Sequence, residues 1–227
     1  MSLEVDVRRL GDVTLLKCRG RIVAGEESQT LQRHVTERID SDRQFVLHLG
    51  EVTFVDSSGL GLLVRLAGVT RAARGDIKLC NVGRDVAHTL AITNLKTVLE
   101  SHETEVEAIS AFYERARQKD GNARTGAKLL CVDHSEDVLA LLRELLRHAG
   151  YAPVTTSNLF DARVLAKATK PALLVIGPSI NAENAKSIQS AVGNTPIISL
   201  DSSFANLEAS AAANTILTAV QEKLVKA

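Results

Sequence analysis

Apolar and polar positions alternate in two different rhythms along this chain, and together they predict two successive runs of strands and helices. Apolar and charged residues alternate over 3–8, a Gly11-Asp12 turn follows, and 13–18 is strand-like again, so the chain is expected to open with a β-hairpin that ends at Gly20. Residues 26–39 carry Leu31, Val35 and Ile39 at helical spacing, with Arg33, Glu37 and Arg38 elsewhere, which predicts an amphipathic helix. The apolar stretch 45–49 predicts a buried strand, and Gly50-Glu51 a short break before another at 52–55. From Leu60, the residues Leu63, Leu66, Ala67 and Thr70 recur every three or four positions, with Leu62 and Val69 widening the stripe and Arg65, Arg71 and Arg74 left to solvent. The pattern then predicts a strand over 77–82 opened by Gly75-Asp76, a short helix over 86–92 stopped at Asn94, a last strand at Val98 and Leu99, and a closing helix over 105–117. An opening hairpin followed by alternating strands and helices implies an α/β fold, a mixed sheet with helices mainly on one face.

Residues 118–126 have no apolar period and contain Gly121 and Gly126, so they are expected to link a first domain at 1–117 to a second at 127–227. In the second, apolar runs at 128–132, 172–176 and 196–200 and a weaker strand at 153–156 are separated by helical patterns at 135–148, 159–168 and 184–192, with a final helix at 215–225. The first of these helices shows Val138, Leu139, Leu142 and Leu145 as its stripe. Such a βα repeat predicts a doubly wound parallel sheet, with any ligand site at the carboxyl ends of its strands.

Composition narrows the functions open to such a chain. Hydrophobic residues make up 45% but aromatics only 3%, so the cores must rest on Leu, Val, Ile and Ala. The 27 basic and 27 acidic residues balance, and they balance in each half, nine of each sign falling after Gly126; no nucleic-acid or membrane surface is advertised. Cys18, Cys80 and Cys131 each sit in an apolar run without a partner at ligand spacing and are expected to be reduced core thiols, with no metal or cofactor implied. With no signal-like segment and no apolar run near 18 residues, a cytoplasmic protein is expected.

The candidate chemistry lies in Phe54-Val55-Asp56-Ser57-Ser58-Gly59-Leu60-Gly61, where an apolar run stops at an acid, two hydroxyls and a glycine. Asp56 or a serine can cap the helix that follows, and Ser57 would sit at its opening, where unpaired N–H groups and the helix dipole favour an anion. The block resembles the signature of the STAS family of anti-anti-sigma factors, in which a strand ends in D-S-S-G-x-G and a partner kinase phosphorylates the first serine. The resemblance covers roughly the first half of the chain. It implies Ser57 as the phosphate acceptor, with Asp56, Ser58 and Gly59 beside it at the partner surface. Family members usually carry an acid after the second strand, in a G-x-L-D pattern that helps bind the kinase; here Gly20-Arg21-Ile22-Val23 puts Val23 in its place, and Glu26 is the nearest carboxylate. The implied function is that of an anti-sigma factor antagonist, not an enzyme, which captures an anti-sigma serine kinase when unphosphorylated and lets it go when Ser57 is phosphorylated. A scaffold role in a stress-signalling assembly is the alternative. A serine hydrolase is disfavoured, because the stretch lacks the first glycine of a G-x-S-x-G elbow and has no histidine nearby.

The second half resembles a response-regulator receiver domain, flavodoxin-like and shortened, and departs from it where the chemistry lies. Asp133 matches one of the family's paired strand-end acids and His134 replaces the other; Gly177 occupies the place of the phosphoacceptor aspartate, and Asp201 that of the switching hydroxyl residue. Aspartyl phosphorylation needs a carboxylate nucleophile and a held Mg²⁺, so this half is expected to be degenerate, its acids to act as caps, and its role to be docking or self-association.

Overall fold

The opening hairpin forms as its alternation dictates: β1 (Glu4–Leu10) pairs antiparallel with β2 (Val13–Ile22) through Leu10 and Val13, with Gly11 at φ 59 in the turn. The computed structural model describes residues 2–119 and 126–225. The chain divides into two compact units, Met1–Phe112 and Tyr113–Ala227. Of the linker expected at 118–126, residues 120–125 lie outside the described residues.

β2 does not end at Gly20 but continues to Ile22. Gly20 lies at φ +100, and a Cβ there would stand 2.5 Å from the Ser2 carbonyl oxygen, so glycine lets the strand bend where a side chain would stop it. After α1 (Glu26–Thr36), which buries Leu31 and Val35, the chain enters β3 (Gln44–Val55), parallel to β2. The break expected at Gly50-Glu51 is absent. Its residues are absorbed as bulges: Lys17 to Arg19 runs beside His48 to Glu51, and Gly20 to Arg21 beside Val52 to Phe54, so ten residues of β2 accompany twelve of β3. Glu51 is held on the outer face by Lys17 (2.6 Å) and Arg19 (3.0 Å).

α2 (Ser57–Ala72) buries Leu60, Leu62, Leu63, Leu66, Ala67 and Thr70, while Val69 remains 44% exposed, so the stripe is narrower than its sequence suggests. The fully buried β4 (Asp76–Cys80) follows, then α3 (Arg84–Ile92), stopped by Asn94 in the left-handed conformation at φ 58. Val98 and Leu99 are not a strand. Their amides bond to the Leu95 carbonyl at 3.0 and 2.8 Å, closing a tight turn, and β5 (Ser101–His102) pairs with β4 instead. The resulting mixed sheet has the order β1-β2-β3-β4-β5. The three helices α1, α2 and α3 cover one face through a single core that includes Leu16, Leu47, Leu49, Ile77 and Leu79. Lys78 points the other way, fully buried, with its ammonium paired to Glu100 and 5.0 Å from the Phe112 ring of α4 (Glu105–Lys119), which covers the opposite face.

The second unit contains β6 (Lys128–Val132), α5 (Glu136–His148), β7 (Ala152–Thr156), α6 (Leu159–Thr169), β8 (Leu173–Ile176), α7 (Ala182–Val192), β9 (Ile197–Ser199) and α8 (Ala209–Val225). All its strand pairs are parallel, in the order β7-β6-β8-β9. Side-chain caps start three of its helices, with Ser135, Asn158 and Asn181 accepting from first-turn amides. Leu129, Cys131, Leu173 and Val175 share one core with α5 and α8. α8 begins at Ala209, earlier than the expected 215, because the run of Ala and Ser there lacks an apolar period yet contains the best helix former. The three cysteines are free and buried, and burial pushes each thiol up to about 12, leaving them neutral at physiological pH. Among the described residues no helix is long and apolar enough to cross a membrane.

Candidate functional site

The end of β3 and the start of α2 meet the end of β2 at one carboxylate. Asp56 is extended (φ −86, ψ −179) and caps α2, its Oδ1 accepting from the Gly59 amide at 2.7 Å. Its Oδ2 accepts from the Ala24 amide at 3.3 Å, and its own amide donates to the Ile22 carbonyl at 3.3 Å. One residue thereby ties the turn after β3 to the loop after β2. Bonds from the Gly59 amide, then the Ala24 and Ser58 amides, and the charge of Arg21 hold its carboxyl below the usual carboxylate range.

A carboxyl whose folded-state pKa is depressed stabilises the fold above its unfolded value and ceases to as pH falls through the folded one. Asp56→Ala should therefore lower the thermal midpoint at pH 7, Asp56→Asn less so, and the gap between wild type and Asp56→Ala should narrow below about pH 4. Melting curves of the three proteins at pH 7 and pH 3 measure this; a gap indifferent to pH would mean the charge contributes nothing.

Ser57 and Ser58 are both exposed, and Ser57 is the first residue of α2. Among the described residues the Ser57 hydroxyl makes no hydrogen bond. The helix start is less open to an anion than its sequence suggests, because the Asp56 carboxylate already engages the Gly59 and Ser58 amides there. A charge added at Ser57 would sit beside a fixed negative group, directed toward solvent.

Gly59, by contrast, is buried: a Cβ would stand 2.1 Å from the Ile22 carbonyl oxygen and 2.9 Å from Val55 Cγ1. Glycine here is what allows α2 to start against β2. Gly61, two residues on, is exposed and would place a Cβ within 4 Å of nothing. Val23 is half-buried, and its carbonyl accepts from the Ser28 hydroxyl at 2.5 Å. Glu26 is exposed at the start of α1, two residues past the Ala24 tether, and forms no ion pair among the described residues. Sequence reasoning missed the Ala24 tether and the contact of Arg21 with Phe54, whose guanidinium lies 5.1 Å from the ring centroid. The outward-facing alternation of Arg19 and Arg21 was the available signal for the second.

In the second unit Asp133 is fully buried, its Oδ1 accepting from the Ser135 amide at 2.7 Å and its Oδ2 from the Ser179 amide at 3.0 Å. The His134 amide donates to the Ser179 hydroxyl at 2.8 Å, and His134 Nδ1 lies 3.2 Å from the Ser157 carbonyl oxygen. A Cβ on Gly177 would fall 2.1 Å from Asp133 Oδ2. Asp201 is exposed, and the Ser203 hydroxyl and amide that bond to it hold its carboxyl below the usual range. Among the described residues no group of three or more His, Cys, Asp or Glu side chains could hold a metal ion.

Residues 4–108 match the STAS domain family. The Bordetella bronchiseptica protein BtrV, provisionally named an anti-sigma factor antagonist, is 24% identical over 102 residues, 44% of this chain and 88% of the relative. The anti-sigma F factor antagonist of Paenibacillus polymyxa is 24% identical over 117 residues, 48% of this chain and 95% of its own. The crystal structure of an anti-sigma factor antagonist from Mycobacterium paratuberculosis aligns with a TM-score of 0.43 at 20% identity, covering 48% of this chain and 93% of that one.

Proposed function

We propose, from the premise that residues 4–108 form a STAS domain, that the protein is an anti-sigma factor antagonist that binds an anti-sigma serine kinase and is switched off by phosphorylation of Ser57. The setting of Ser57 carries this reading: an exposed, unbonded hydroxyl at the first position of a helix whose opening donors Asp56 already engages. A phosphate there adds about −1.5 to −2 charges and three acceptor oxygens. Because the neighbouring carboxylate competes for the same amides, little of that charge is absorbed locally, and a protein docked over the serine must dehydrate it. Ser58 and Glu26 are exposed and act as direct contacts, whereas Gly59 acts by seating the helix and Asp56 by fixing both loops.

We read the second unit as receiver-like and without phosphoryl chemistry. Its strand order matches the first four strands of a flavodoxin-like sheet, and Gly177 offers no nucleophile. Its role is docking or self-association.

The test is to incubate the full chain with the purified anti-sigma kinases encoded in the source genome, with ATP, and locate phosphate by mass spectrometry. One kinase should modify Ser57, Ser57→Ala should bind it and remain unmodified, and Ser57→Asp, carrying a single charge, should bind about tenfold more weakly. Phosphate elsewhere, or binding indifferent to Ser57→Asp, would sink the switch.

A further inference from the structure

Beyond the residues flanking Ser57, the outer face of the sheet ends in a feature that no element of the first unit covers. β4 pairs with β3 only from Gln44 to His48, and β1 pairs with β2 only as far as Arg19. Past these points the sheet narrows to a two-stranded ribbon, residues 20–22 beside 52–55, with Arg19 and Glu51 at its base. The inner side of the ribbon, Ile22, Val52 and Val55, is buried in the core. Its outer side shows Arg19, Arg21, Glu51 and Phe54 to solvent, and Phe54, 48% exposed, is one of the few large apolar side chains left there.

The charges on this side are unequal in state. Lys17 and Arg19 are both satisfied by Glu51, at 2.6 and 3.0 Å. Arg21 has no carboxylate within ion-pair distance among the described residues; its guanidinium is instead laid 5.1 Å from the Phe54 ring centroid, in a pair whose Cα atoms are directly opposite in the register. An arginine held over an aromatic ring has already given up part of its rotamer freedom, and its guanidinium N–H groups suit a bidentate carboxylate. Arginine and aromatic side chains in such settings are the residue types that dominate protein interfaces. The platform is continuous with the switch, since Phe54 precedes Ser57 by three residues and so lies at most about 11 Å from it along the chain.

We infer that the Arg21–Phe54 platform is the second half of the partner-docking surface, and that it receives an acidic side chain flanked by apolar surface on the same protein that docks over Ser57. This rests on the partner binding proposed above. It also gives the substitution at Val23 a consequence: where an acid would call for a basic partner residue, this chain offers a cation a few residues earlier, and the partner it selects carries the opposite charge.

The test measures affinity of the full chain for the anti-sigma kinase that modifies Ser57, at low and high salt. Arg21→Ala and Phe54→Ala should each weaken binding about tenfold and Arg21→Glu about a hundredfold, with every variant still folded at the temperature of the assay by its melting curve. Arg21→Gln should bind more weakly and lose most of the salt dependence, while Arg19→Ala, whose cation is internally paired, should stay within about twofold of wild type. Arg21→Glu binding like wild type while Ser57→Asp is impaired would overturn the platform and leave the switch standing. Equal losses for Arg19→Ala and Arg21→Ala would also overturn it, by pointing to a diffuse basic face. A wild-type chain that binds no such kinase removes both the proposed function and the platform.

Discussion

Gly59→Ala should destabilise the first unit by about 3 kcal/mol, although alanine is the better helix former by about 1 kcal/mol. The added methyl would stand 2.1 Å from the Ile22 carbonyl oxygen and 2.9 Å from its carbon, and both are backbone atoms of a paired strand that cannot swing aside. Relief requires α2 to lift off β2, which also stretches the bonds from Asp56 to Gly59 and Ala24. Gly61→Ala supplies the control, because the same change two residues later meets nothing within 4 Å and should stabilise by about 0.5–1 kcal/mol. Chemical denaturation of the three proteins measures both. Two glycines that look alike in D-S-S-G-x-G should therefore respond with opposite signs, and equal responses would mean the close approach of α2 to β2 is not what fixes the site.

Gly177→Asp, which would restore a receiver's missing carboxylate, should destabilise the second unit by about 4 kcal/mol or more and should not create a phosphorylatable aspartate. A Cβ at 177 lands 2.1 Å from Asp133 Oδ2, so the new side chain both overfills the space and sets a second carboxyl group against a fully buried one. Asp133 cannot retreat without abandoning the Ser135 and Ser179 amides that it satisfies at 2.7 and 3.0 Å. Denaturation read from the second unit, together with incubation in acetyl phosphate and Mg²⁺, tests this. A stable Gly177→Asp protein that takes up phosphate would show the site to be dormant rather than closed.

The pattern of apolar positions was sufficient for most of the architecture, because amphipathic faces such as Leu60, Leu63, Leu66 and Ala67 leave few alternatives. It failed where the backbone, not side-chain polarity, decides. Gly50-Glu51 looks like a break, but paired strands can absorb extra residues as bulges, and nothing in single-strand periodicity reports the partner's length. Val98 and Leu99 look like a strand, yet their amides are claimed by the Leu95 carbonyl. At the site, the exposure of Ser57 and the cap by Asp56 were legible from residue type and position. The Ala24 tether joins residues 32 positions apart, and the need for glycine at 59 but not 61 depends on a carbonyl belonging to another strand. Such through-space facts have no local sequence signal.

The two bulges in β3 have a consequence of parity. Side chains on a strand change sides at every step, so one inserted residue would turn the remainder of the strand over unless a bulge took it up. Leu47 and Leu49 face the helices, Val52 does so after one insertion, and Val55 after the other, so the odd-numbered inward rhythm is recovered just before Asp56. Each bulge takes up its one extra residue within β3, so the inward faces of β2 and β3 stay matched on either side of it, Phe54 keeps its place on the outer side, and the serine-bearing turn is delivered beside the end of β2.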